Sequence, residues 1–251
     1  MRRLLFVAVG LTIIGSATAL GGGVSHHWSY AGQSGPSHWA ELDPAFAACS
    51  TGKTQSPIDI RTRDILGQKL PGLVFDYRPG PLHIIDNGHS IQVNVDPGSS
   101  LRIGDKNYQL VQFHFHHPSE ERINGQAADM VAHLVHRDSG GKLAVVAILL
   151  NAGQPNPTVD AIWSHIPTQK EHEADFKNVR INPAALLPTN RGYFTYTGSL
   201  TTPPCSEGVR WIVLKSPSTL SKAEIAIFAA HYPNDARPVQ KLNGRKILAT
   251  N

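Results

Sequence analysis

The sequence predicts a mainly β, α+β fold: a large twisted, mostly antiparallel sheet with short peripheral helices. Three observations carry that expectation. Between residues 73 and 150, short β-branched runs alternate with turn signals. The nearly continuous apolar run 143–150 is the pattern of a central strand covered on both faces. Only two stretches, 157–166 and 221–231, have helical spacing, the second with Ser221 as N-cap and Glu224 three residues on, a capping box.

Taken in order, the first of these strands is HSIQVNVD, which ends at Pro97-Gly98. The long run LRIGDKNYQLVQFHFHH turns at Gly104-Asp105, and KLAVVAILL follows Ser139-Gly140-Gly141. Asn124-Gly125 lies between the runs QFHFHHPSEE and DMVAHLVHR and is a strong two-residue hairpin signal. His114 and His116, two apart on an extended strand, share one face at a spacing of about 7 Å. If Asn124-Gly125 forms the loop, Ile123 faces Gln126, His116 lies opposite His133, and His114 lies opposite Val135. His136 then falls opposite Phe113 and points the other way. The register therefore selects His133 over His136. Three imidazoles on one face with no fourth protein ligand form a donor set suited to a catalytic zinc with an open position.

The ends and composition narrow the class further. Residues 1–19 read as an export signal, with Arg2 and Arg3, a short apolar run, and Ala17-Thr18-Ala19 as a small-residue cleavage site. The apolar run is too short to span a bilayer, so no stable membrane insertion is expected after cleavage. Residues 20–251 read as a single domain, because no linker, charge block or repeat divides them. Loss of Arg2 and Arg3 lowers the formal charge of +4 by two. Since no basic stripe interleaved with aromatics remains, nucleic acid is excluded as a partner. In an exported, periplasmic or secreted setting, Cys49 and Cys205 have one bridge to make. Such a bridge closes a very long loop, for which the chain-entropy argument gives roughly 4–5 kcal/mol; two buried free thiols are the other reading.

The runs HHWSY, TQSPIDI, NGHSIQVNV, QFHFHHPSE, HLVHR, GSLTTPPCSEGVRWIVL and RPVQKLNGR occur in order along the chain. In these it resembles the alpha-class carbonic anhydrases of the bacterial exported type. The resemblance implies a ten-stranded twisted sheet, one Zn2+ on His114, His116 and His133, and reversible hydration of carbon dioxide to bicarbonate and a proton by attack of zinc-bound hydroxide. Thr201 would receive the hydroxide's hydrogen bond and donate to the buried Glu120. Val135, Val145, Leu200, Thr202, Val209 and Trp211 would line the substrate side. His89 would shuttle the proton to buffer, with Tyr30, Asn87 and Gln92 along the water-filled part of the cavity. A Cys49–Cys205 bridge would brace the loop that carries Thr201. The implied partner is the small-molecule substrate alone, on a monomer or homodimer.

Two departures from the family pattern stand out. Val131 occupies a position, two residues before the third histidine, where the family has a glutamate bonded to that ring. Weaker zinc follows as an expectation, since such losses typically cost about 10–100-fold. Asp129 points the same way but lies ~13 Å along the strand from His133. Glu121 is the second departure, standing where histidine or asparagine is usual. Two rival readings are a cupin-like metal protein with Glu120 as a ligand of an H-x-H-x3-E motif, and a non-catalytic binding protein or zinc buffer that has kept the histidines.

Overall fold

The structure is a computed structural model that describes residues 27–251; the expected export signal and its cleavage point lie outside the described residues. Ten strands form the main path of the sheet: β1 (Leu66–Gly67), β2 (Gly80–Asp86), β3 (Ile91–Asn94), β4 (Lys106–His116), β5 (Met130–Arg137), β6 (Leu143–Ala152), β7 (Glu173–Ile181), β8 (Tyr193–Ser199), β9 (Glu207–Leu214) and β10 (Leu248–Ala249). They are ordered β7-β2-β3-β4-β5-β6-β9-β8-β10-β1. Neighbours on this path are antiparallel except β6–β9 and β10–β1, so the sheet is mixed, with its antiparallel part centred on β4 and β5. Short strands at Leu73–Asp76, Ser100–Ile103 and Ser218–Leu220 attach beside the path.

Strand periodicity divides the molecule into two apolar layers. In β6, Ala144, Val146, Ile148 and Leu150 enter one core, while Val145 and Ala147 enter the other. Residues 144–150 are all buried, as a strand covered on both faces requires. The first core is closed by α1 (Pro157–Trp163) and α2 (Lys222–His231), through Val159, Ile162, Trp163 and Phe228. Ser221 and Glu224 form the expected capping box on α2. The second Glu224 oxygen accepts the Asn156 N–H at 2.9 Å, and the Trp163 indole donates to the Glu224 carbonyl at 3.0 Å, so one cap holds both helices. The first helix ends three residues before the predicted limit of 166, where Pro167 disfavours helical geometry in the residue before it.

The predicted hairpin forms, with Ile123 opposite Gln126 and Asn124 and Gly125 both at positive φ. It belongs, however, to a separate small sheet with Asp59–Ile60. Between the hairpin pair Arg122–Ala127 and the first main-sheet pair, His116 with Val131, the chain uses five residues on the β4 side and three on the β5 side. The main register therefore slips by two: His133 pairs with His114, Val131 with His116, and Val135 with Gln112. An even slip exchanges partners but preserves faces, so the three histidines still share a side. His136 pairs with Leu110 rather than Phe113, because a bulge between Val135 and His136 adds one residue to the slip of two.

On the opposite face, His136 is buried and bonded to the Tyr77 hydroxyl at 2.6 Å and the Ala144 carbonyl at 3.2 Å. Among the described residues no helix is long and apolar enough to cross a membrane. Burial lowers the His136 pKa from 6.5 to about 4. Between those values the unfolded chain binds a proton that the folded chain refuses, so this contribution is complete above pH 6.5 and is lost as the pH falls toward 4. The expected loss between pH 7 and pH 4 is about 3 kcal/mol, for an imidazole that titrates at 6.5 unfolded and at about 4 folded. Denaturant unfolding at pH 7 and pH 4 should show a drop larger by that amount in the wild type than in His136→Gln.

Candidate metal centre

Adjacent strands β4 and β5 present three imidazoles toward one point. Ring centroids are 5.1 Å apart for His114–His116, 5.5 Å for His114–His133 and 4.9 Å for His116–His133. One nitrogen from each lies within 4.8 Å of the others. The remaining nitrogens fix the tautomers. His116 Nδ1 donates to the Asp235 carbonyl at 2.8 Å, and a carbonyl can only accept. His133 Nε2 lies 3.1 Å from both carboxylate oxygens of Glu121, and His114 Nδ1 lies 2.8 Å from Gln112 Oε1. The lone pairs left over are on His114 Nε2, His116 Nε2 and His133 Nδ1, all turned to the common point. Among the described residues, buried His116 Nε2 has no hydrogen-bond partner. Three convergent neutral nitrogen donors fit Zn2+.

Charge around the site is uneven. Burial, reinforced by the two neighbouring imidazoles, holds His114 well below its ordinary pKa. Burial also works against charge on His116, but Glu120 and Asp235 outweigh it and the net shift is upward. Burial pushes the Asp235 carboxyl up to about 7, against the pull of His116. Glu120 Oε1 accepts the Arg237 backbone N–H at 2.8 Å. The hydrogen bond expected from Thr201 to Glu120 is not made: among the described residues Oε2 has no partner, and it lies 3.7 Å from His116 Nε2 and 3.8 Å from His133 Nδ1.

Arg237 is itself buried and donates to Gln55 Oε1, the Ser56 carbonyl and the Cys49 carbonyl. Gln112, Asp235 and Arg237 are supports that the sequence reading did not name. Gln112 shares the face of His114 by strand period and could have been found that way. Asp235 serves His116 through a backbone carbonyl, which carries no side-chain signal.

An apolar wall stands beside the triad. Val145, Val209 and Trp211 are buried in the second core, with Val135 and Leu200 packed against it. Parallel pairing sets Val145 against Trp211, and the indole meets the His133 ring edge-on at 4.9 Å. Its N–H donates to the Ser199 carbonyl at 2.9 Å. The loop after β8 is closed by Leu200 N to the Ser206 carbonyl and by Cys205 N to the Thr202 carbonyl, which leaves Thr201 buried and Thr202 half-buried. Cys49 and Cys205 are joined in a disulfide packed against Trp39.

His89 lies on the turn before β3 and stacks on Trp28 at 3.5 Å between ring centroids. Asn87 Nδ2 reaches Gln92 Oε1 at 3.4 Å, and burial raises the pKa of Tyr30 well above its ordinary value. Burial, with His27 adding to it, lowers the His89 pKa to about 4. In this stacked position the ring is a poor proton acceptor at neutral pH.

The sequence profile of the eukaryotic-type carbonic anhydrases matches residues 34–251. The chain belongs to this family. A carbonic anhydrase of Nostoc sp. is 42% identical over 255 residues, covering 98% of this chain and 97% of that one. The alpha-carbonic anhydrase of Thermovibrio ammonificans, solved with the inhibitor sulfanilamide, superposes with a TM-score of 0.86 at 40% identity, covering 89% of this chain and 99% of that one. Dioscorin, solved with ascorbate, reaches a TM-score of 0.84 at 31% identity over 90% of this chain and 98% of its own. The likeness to carbonic anhydrases thus extends through sequence and fold alike, and the alpha-class fold expected from the motifs is the one found.

Two outcomes follow from these contacts. Trp28→Ala removes the main burial of His89 and is expected to move its pKa up toward 6.5, read from the imidazole C–H shifts in an NMR titration. Cys49→Ser is expected to cost roughly 2–4 kcal/mol of stability, read by denaturant unfolding, and to lower turnover through the Thr201 loop.

Proposed function

We propose that this carbonic anhydrase catalyses the reversible hydration of carbon dioxide to bicarbonate and a proton, with Zn2+ held by His114, His116 and His133. The observation that carries the reading is the convergence of three imidazole lone pairs whose opposite nitrogens are all engaged, beside an apolar wall. Zinc, when bound, supplies the Lewis acidity that makes water nucleophilic near neutral pH, for which carbonic anhydrase is itself the standing example.

This chain's own residues orient, exclude and relay. Glu120 keeps one oxygen committed to Arg237 and the other open, which suits it to accept a hydrogen bond from the Thr201 hydroxyl and so to fix the direction in which the Thr201 oxygen accepts. Val135, Val145, Leu200, Val209 and Trp211 offer carbon dioxide, an uncharged and weakly hydrogen-bonding molecule, a surface without competing donors, and Thr202 stands at its edge. His89 takes up the released proton once it leaves its stack on Trp28, where burial suppresses protonation, and passes it to buffer. Tyr30, Asn87 and Gln92 hold the water between. The same reading makes 1–19 a removed export signal, 20–251 a single catalytic domain, and the periplasm or exterior its location. The disulfide supports that setting.

Stopped-flow hydration of carbon dioxide with a pH indicator, on protein of measured zinc content, checks the reading. Fast hydration in the wild type and a fall to the uncatalysed rate in His114→Ala are expected. A zinc-replete wild type that does not hydrate carbon dioxide would leave a binding protein on the same fold.

A further inference from the structure

Glu121 makes good the deficit expected at Val131. Val131 is buried in the apolar layer, and its side chain has no group that could bond to an imidazole. Asp129 is committed elsewhere, accepting the Ala152 N–H at 2.7 Å. Glu121 is fully buried, and both of its carboxylate oxygens lie 3.1 Å from His133 Nε2. Among the described residues its side chain makes no other hydrogen bond.

We propose that Glu121 is the positioning residue that orients His133 toward the metal, a role moved from the strand to the flap between β4 and β5. The two additional residues on the β4 arm, which cause the register slip, are what carry Glu121 over the far side of the His133 ring. The flap is pinned there: Ser119 N donates to the Ala128 carbonyl at 3.1 Å, Ser119 Oγ to the Glu121 carbonyl at 2.8 Å, and Arg122 N to the Ile58 carbonyl at 3.3 Å.

The three imidazoles are thereby supported by three different acceptors: an amide oxygen from Gln112, a backbone carbonyl from Asp235 and a carboxylate from Glu121. Only His133 has an anion for its supporting acceptor. A carboxylate removed from water is costly unless a positive charge answers it. A cation on His133 Nδ1, across the ring, provides that answer, so Glu121 strengthens the hold of this imidazole on the metal.

This inference rests on zinc binding at the triad, so the experiment first measures zinc per chain in the wild type. Zinc-loaded wild type, Glu121→Gln and the double variant Glu121→Ala/Val131→Glu are mixed with excess dipicolinate, and release is followed with a colorimetric zinc indicator. Thermal unfolding of each metal-free protein reports folding separately. Glu121→Gln is expected to release zinc about 10–100-fold faster than the wild type, the usual penalty for a lost supporting carboxylate. The double variant, with its carboxylate restored two residues before His133 on the same strand face, is expected to recover most of that retention. Release from Glu121→Gln at the wild-type rate overturns the assignment. So does a folded double variant that leaks zinc as fast as Glu121→Gln; if Glu121→Gln does not fold, a double variant leaking tenfold faster than the wild type overturns it. A wild type that takes up no zinc removes the proposed function together with this inference.

Discussion

The pairing of His114 with His133 across β4 and β5 is the constraint on which the rest of the site depends. Side chains alternate across a sheet, so one register decision assigns every residue of both strands to a face. Phe113, Phe115, Ala132 and Leu134 enter the large core, while His114, His116 and His133 face the opposite way with the second layer of apolar residues. The same hydrophobic pattern that holds the sheet together therefore aims the imidazoles. A slip of one residue would bury the histidines among phenylalanines and expose the core face, at a cost no local contact could offset.

Around that pairing the protein spends its buried polar groups with economy. Each triad ring is fixed by a single acceptor, and each acceptor comes from a different part of the chain: Gln112 from the same strand, Glu121 from the flap, Asp235 from the irregular segment after α2. Glu120 is tied by the Arg237 backbone, while the Arg237 guanidinium joins Gln55, Ser56 and Cys49. The disulfide lies at the other end of that network, next to the loop that holds Thr201. Buried groups bonded in this way hold geometry more firmly than they add stability.

Much of this was legible in the sequence because it depends on period and chemistry. The strand period gave the shared face of the three histidines, and the capping box gave the start of α2. The turn pair gave the hairpin. Partners were less legible than faces. Asn124-Gly125 set the small hairpin correctly, but the chain between that hairpin and the main sheet absorbs an unequal number of residues on its two arms, which no short-range signal encodes. The same unequal arms put Glu121 over His133, so the sequence displayed the loss at Val131 without displaying its compensation. Asp235 was invisible for a different reason, since the atom it contributes to His116 is one that every residue possesses.

The segment after α2 has a bearing on the order of assembly. All three imidazoles lie on β4 and β5, yet the carbonyl that sets the His116 tautomer and the N–H that anchors Glu120 come from Asp235 and Arg237, far beyond those strands in sequence. A chain in which only β4 and β5 have paired would carry the histidines without the partners that make them a rigid donor set. The donor set thus reaches its final geometry only when this distant segment docks, and the segment after α2 decides when the site becomes rigid.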